Sequence, residues 1–388
     1  MLPLAGFRVL ACEVGLAGPI CSRLLADLGA EVLKVERPGA GDVTRGWDTG
    51  AAGLSTGFVW VNRGKKSVAL DLKRPEARAA LDRLIERCDV FLVNFAPGWA
   101  ESMGLDEASV RTLRPDVVYT EITGYGTDGP YAAKNAYDLV VQGEAGLIAM
   151  TGTESEPARI PIPVADIGAG CYAAVGTLAA LLRRAATGEG ERVSVSLFDV
   201  MLDWVGYYPH FWWHRREEPG RHGLRHPLFC PYGPHRARGG RYFNLAVLSP
   251  EHWRAFCLDV VERPELLADP RYDTMEGRVA LRHELEPLLE ELFAERDPEE
   301  WVARLERAGI PCGLVREFHE VMEHPQLAHG RLVTQIGSPV GLIPTIGSPI
   351  VLDGDRPELG PVPALGEHTQ EVLEKLGLAE TDIRAVAG

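Results

Sequence analysis

Through the first half of the chain, short apolar runs of strand length alternate with stretches whose apolar positions recur at helical spacing. Residues 7–12, 31–36, 67–72, 89–95 and 117–123 read as buried strands, with helical patterns over 19–28 and 75–87. Strands joined by helices of this length predict a parallel sheet covered on both faces. Residues 166–184 are helical in pattern, rich in Ala and Gly and apolar nearly all round, which predicts a buried helix. A strand over 192–197 and an aromatic-rich helix over 198–214 follow.

Near Arg215 the pattern changes, and residues 215–225 crowd Arg, His, Glu, Gly and Pro together as a linker or exposed loop does. Beyond it, a strand over 241–248 and helices over 251–261, 279–295 and 298–308 predict a smaller core. The tail from Leu332 has short apolar segments broken by Gly and Pro, then a helix over 367–376. The expected architecture is α/β: a large domain beginning with 1–215, a small α/β domain at 225–325, and a segment 330–388 that returns to the large domain.

A net charge of −15 argues against nucleic acid or an anionic membrane as the main partner. Small polyanions stay compatible, because they respond to a local basic pocket more than to a distant acidic surface. Seven cysteines without a CxxC spacing read as reduced, buried thiols, and no apolar run approaches 18 residues. A soluble, cytoplasmic protein is expected.

Several motifs carry little. Gly124–Gly129 matches GxGxxG, but Pro130 and an irregular stretch stand where a phosphate-binding helix would start. The pairs His210/His214 and His222/His226 have HxxxH spacing without a third ligand, so no metal is expected. Ser194 and Ser196 lack a nucleophile turn. Asp166 is more informative. It is the one acid in the apolar run 160–170, where a carboxylate is either a helix cap or a nucleophile. Arg37, Arg45, Lys65, Lys66 and Lys73 cluster at predicted strand ends, as the binding of a pyrophosphate-bearing ligand requires.

The ordered series Leu16-Ala-Gly-Pro19, Leu24–Gly39, Asn62–Ser67, Leu70–Lys73, Asn94–Gly98, Gly124–Pro130, Ala136–Asp138, Gln142, Asp166–Gly170 and Thr187–Gly190 resembles the class III CoA-transferases. That family includes formyl-CoA transferase, carnitine CoA-transferase and, as a divergent branch, α-methylacyl-CoA racemase. The resemblance implies a Rossmann-like large domain, a small α/β domain and an interlocked, ring-like homodimer. It implies a CoA-transferase acting on an acyl-CoA and a small carboxylic acid, with CoA thioesters as substrates and no permanently bound cofactor. Asp166 would be the nucleophile, passing through an aspartyl–acyl anhydride and an aspartyl-CoA thioester. With an ordinary carboxyl pKa of about 3.9, it would be ionised near neutrality without a partner base.

By position, Arg37, Leu70, Lys73, Asn94, Phe95 and Tyr137 match residues that line the CoA site, while Leu16, Trp47 and Asp138 match the substrate pocket. Leu16 replaces a polar amide of formyl-CoA transferase, Ser102 stands where a basic CoA contact can occur, and the glycine-rich loop is not evident around Phe229–Gly233. Leu16 and the missing loop disfavour a formyl/oxalate substrate pair. Tyr137 stands where the racemase branch has its catalytic His, and a phenol is a poor base near neutrality. Transfer is therefore favoured over racemisation, and the presence of Asp166 with Gly168 and Gly170 weighs against the other alternative, non-catalytic CoA binding. Whether Arg221, Arg225, Arg236 or Arg238 meets substrate is open at this stage, as are the acyl group and the acceptor.

Overall fold

The computed structural model describes residues 1–330, 332–379 and 383. At the centre of its larger unit lie six parallel strands: β1 (Arg8–Cys12), β2 (Glu31–Glu36), β3 (Lys65–Ala69), β4 (Val90–Val93), β5 (Val118–Thr123) and β6 (Arg192–Ser196). Their spatial order is β3-β2-β1-β4-β5-β6. Alternate residues serve opposite faces. Val9 and Ala11 pack with Leu25, Leu92 and Ala169 on one side, whereas Leu10 and Cys12 pack with Leu33, Leu81, Phe91 and Leu373 on the other. With both faces covered, the central strands β1 and β4 are almost continuously apolar, whereas β6 at the edge alternates and is partly exposed. The order reverses between β1 and β4, where the outgoing turns diverge and open a crevice at the strands' carboxyl ends.

This unit comprises Met1–Leu147, Arg159–Glu217 and Gln326–Gly388. Its long helix, Val164–Thr187, starts earlier and ends later than the sequence pattern indicates, stopping at left-handed Gly188. The helix is apolar and long enough to cross a membrane, but Ala165, Ala169, Ala173, Ala174 and Leu181 are buried in the protein core. The aromatic helix expected over 198–214 is two helices, Leu197–Trp204 and Tyr208–Arg215, because Gly206 takes a φ of +64° between them.

The tail adds the hairpin β10 (Val333–Ser338) and β11 (Gly341–Ile346), then runs along β3. Gly366 N donates to Ser67 Oγ (2.8 Å), His368 N to the Ser67 carbonyl (3.0 Å), and Ala69 N to Thr369 Oγ1 (2.9 Å).

The smaller unit comprises Ile148–Ala158 and Glu218–Pro325. Its antiparallel sheet joins β7 (Tyr232–Arg236), β8 (Tyr242–Ala246) and β9 (Cys312–Leu314). Helices Arg282–Phe293 and Pro298–Arg307 contribute Leu289, Phe293, Trp301 and Leu305 to its core with Phe243 and Phe256. The segment 148–158 carries no compositional mark that distinguishes it from its flanks.

Candidate active site

Asp166 is not the cap of its helix. The residue before the first turn is Pro163, and the cap position makes no side-chain hydrogen bond. Asp138, which opens the helix Asp138–Glu144, takes that role: its Oδ1 accepts the backbone N–H of Ala165 at 2.8 Å. Its Oδ2 accepts from Gln142 Nε2 at 2.7 Å, and Gln142 Oε1 accepts from the Ile160 N–H at 2.9 Å. One Asp and one Gln thus fasten the segment that enters the long helix.

No hydrogen bond from the described residues reaches the Asp166 carboxylate. Burial, and then the charge of Asp138, push its pKa up to about 7. The positive end of the helix pulls the other way and loses. The ordinary, fully ionised aspartate expected from the sequence is therefore corrected: near neutrality this carboxyl is only partly ionised. The same shift makes the ionised form more basic, a property suited to a nucleophile.

Gly170 lies one turn beyond Asp166 on the same helix face. A Cβ there would sit 2.7 Å from the carbonyl oxygen of Ala17. This close approach aims the Asp166 face toward the start of the helix Ala17–Asp27, immediately after half-buried Leu16. The turn carrying Leu16 is itself fixed at the switch point. Asn94 Oδ1 accepts from Val14 N and Asn94 Nδ2 donates to Val14 O, both at 2.9 Å. Phe95 stacks on Trp99 with ring centroids 3.8 Å apart. Asn94, Phe95, Gly98, Thr123 and Gly124 border a cleft of about 110 Å³.

Arg37 and Trp47 are exposed on the turn after β2, and Lys73 is exposed after β3. Tyr137, 80 % exposed, immediately precedes Asp138. Leu70 differs from the rest, because its side chain is core and its N–H is spent on Glu36 O at 2.9 Å. Three other cations in the basic cluster are already engaged by partners within the protein. Arg45 pairs with Glu36 (2.7 Å) and lies over the Phe58 ring, Lys66 bridges Glu31 and Glu371, and Lys65 is fully buried.

A buried charge network beneath these turns was not recognised from the sequence. Lys65 Nζ meets Glu13 Oε1 at 2.7 Å, and Lys34 Nζ meets Asp42 Oδ2 at 2.8 Å and Glu13 Oε1 at 3.5 Å. Burial pulls Lys65 down to about 8. Burial opposes ionisation of Asp42, but Lys34 and the Thr44 donors hold its pKa below the usual carboxylate range. The available signal was a lysine in the middle of the apolar run Glu31–Glu36.

The smaller unit has a cleft of about 790 Å³ lined by Arg225, Tyr232, His235, Arg236, Arg282 and Glu286. The four arginines left open by the sequence all have partners within that unit. Arg221 donates to the carbonyls of Thr153 and Glu154, Arg225 pairs with Glu286, Arg236 donates to Tyr242, and Arg238 pairs with Asp297. No His, Cys, Asp or Glu cluster among the described residues forms a metal site. His210 and His214 instead stack with centroids 6.0 Å apart.

A parallel sheet with its switch point at Asn94, together with a carboxylate of raised pKa at a helix start, gives an α/β protein with a candidate site at the carboxyl ends of its strands. Residues 4–369 match the sequence model of CoA-transferase family III, and the chain belongs to that family. An acyl-CoA transferase of Fusarium pseudograminearum is 35 % identical, the match covering 99 % of this chain and 86 % of that protein. Human succinyl-CoA:glutarate CoA-transferase is 33 % identical, with 96 % and 86 % covered. A CAIB/BAIF family protein from Brucella suis superposes with a TM-score of 0.85 at 32 % identity, covering 97 % of this chain and 99 % of that one. The protein is a class III CoA-transferase acting between an acyl-CoA and a carboxylate.

Proposed function

We propose that Asp166 carries the transferred group. One carboxylate oxygen attacks the thioester carbonyl, the C–S bond breaks, and CoA thiolate leaves an aspartyl–acyl anhydride. The thiolate then attacks the aspartyl carbonyl, releasing the donor acid and forming an aspartyl-CoA thioester. An acceptor carboxylate repeats the exchange in reverse and departs as its CoA thioester, returning Asp166 to a carboxylate. The supporting observation is the half-buried Asp166 carboxylate, with its pKa raised to about 7 and no hydrogen-bond donor on it among the described residues, beside an Asp138 that already serves as the cap.

Arg37 and Lys73 would meet the phosphates of CoA. Asn94 and Phe95 would border its reactive arm at the switch point, Tyr137 would flank it, and Leu70 would take part through its backbone. Leu16, Trp47 and Asp138 would shape the acyl pocket. The human relative is named for succinyl-CoA and glutarate; short dicarboxylic acids are accordingly the substrates proposed first.

A homodimer, interlocked as in the family, would cover the outer face of the long helix, where Val175 is 65 % and Leu182 74 % exposed.

The test is thioester exchange from succinyl-CoA to a panel of mono- and dicarboxylic acids, with hydroxylamine added to trap the intermediate. A hydroxamate on the Asp166 peptide is the expected result. Exchange without modification of that peptide would remove the covalent route.

A further inference from the structure

The turns leaving β1 and β2 are joined by a buried carboxylate to which no chemistry has been assigned. Asp42 Oδ1 accepts from Gly15 N at 3.3 Å, in the turn after β1. The same oxygen accepts from Thr44 N and Thr44 Oγ1, both at 2.9 Å, in the turn after β2. The other oxygen faces Lys34 Nζ at 2.8 Å, and Lys34 also donates to the backbone carbonyl of Glu13 at 3.2 Å. Asp42 N in turn donates to Glu36 Oε2 at 2.9 Å. Asp42 is 2 % exposed and Lys34 fully buried.

Burying such a pair is a poor route to stability. Desolvation of two ions typically offsets their attraction, and well-packed apolar residues in their place are often as stable or more so. What the pair does supply is a fixed geometry. It links Gly15, beside Leu16, to Thr44, between Arg37 and Trp47, through hydrogen bonds that an apolar pair cannot make.

We propose that Asp42 is a positioning residue for the transfer reaction, holding the turns at Val14–Leu16 and Val43–Trp47 at the spacing that admits the CoA thioester and excludes water. The proposal rests on the reading of these turns as the rim of the thioester site.

Because Lys65 still neutralises Glu13, Lys34 and Asp42 can be discharged together. Lys34→Met/Asp42→Asn keeps an oxygen to accept from Gly15 and Thr44, whereas Lys34→Met/Asp42→Ala removes it. The two proteins carry the same charge. Each is assayed as purified full-length enzyme at least 15 °C below its own melting temperature, with succinyl-CoA and an acceptor acid.

The alanine pair is expected to raise KM for the thioester about 10-fold or more and to divert a larger share of turnovers to hydrolysis, while the asparagine pair restores both. Equal KM and equal hydrolysis in the two proteins would overturn the positioning role, whatever their melting temperatures. If either fails to fold, Thr44→Val in the otherwise native chain, which removes one donor to Asp42 and should raise KM, is compared with Asp42→Asn, which keeps the acceptor and should not. Wild-type KM in Thr44→Val together with wild-type KM in Asp42→Asn is what a passive Asp42 would give with that pair, and is the overturning result there. Arg37→Ala serves as the control. If it leaves CoA binding unchanged, the rim itself is misplaced; if it weakens binding while the Asp42 variants behave alike, only the positioning role fails.

Discussion

Asp138 fastens Ala165 and thereby holds the turn that carries Asp166, whose ionisation it also opposes. Burial is the larger cause of the raised pKa, and the neighbouring carboxylate adds to it. A single side chain therefore holds the proposed nucleophile in position and adds to the basicity that burial gives it.

Asp166→Asn should lose transfer activity by several orders of magnitude, because no other acid occupies that helix turn. Stability should move the opposite way. Between the ordinary carboxyl pKa of about 3.9 and the folded value of about 7, the folded state binds a proton that the unfolded state has released. Stability of the wild type therefore falls as pH rises through that window, by on the order of a few kcal/mol, and levels off above it. The Asn variant escapes this cost and should melt higher than wild type at pH 8, with little difference near pH 4. Thermal scans at both pH values check this. A lower melting temperature for the variant at pH 8 would contradict it.

Activity should rise with pH through an inflection near 7 as Asp166 ionises. Asp138→Asn keeps an acceptor for Ala165 but removes the charge, so the inflection should move to lower pH while remaining above the ordinary carboxyl range, since burial persists. The pH profile of kcat/KM for wild type and variant decides the matter. Coincident profiles would mean that Asp138 has no electrostatic part.

CoA binding should weaken with salt, and Arg37→Ala/Lys73→Ala should both weaken it and flatten the salt dependence. Titration calorimetry at two ionic strengths measures both effects. Unchanged affinity in the double variant would place the phosphates elsewhere.

Light scattering should give twice the chain mass at sub-micromolar concentration, as expected of an interlocked pair. A folded, active monomer would refute that assembly. Val175→Glu, on the exposed apolar face of the long helix, should lower the dimer yield.

Much of the larger unit was legible because its central strands are buried. Residues 31–36 show an apolar run of strand length, and β2 spans those residues. The hairpin β10–β11 was less visible because Gly341 and Pro344 interrupt its pattern; Pro344 is tolerated where a two-stranded ribbon leaves one side of each strand unpaired. At the site, the importance of Asp166 could be read from an acid within an apolar run. Its raised pKa could not, since that depends on desolvation and on Asp138, brought close by a separate helix. Arg45, Lys65 and Lys66 read as cations for a pyrophosphate because sequence shows cations without showing their partners.

The contact between Ser67 and Gly366 spans 299 positions of the chain. The outer edge of β3 thus stays bare until the ribosome has passed Gly366. An uncovered edge strand is a template for pairing with other chains. Premature release, or proteolysis ahead of Gly366, should consequently yield aggregates rather than a smaller working enzyme. Synthesis through Gly366 becomes a condition for solubility as well as for activity.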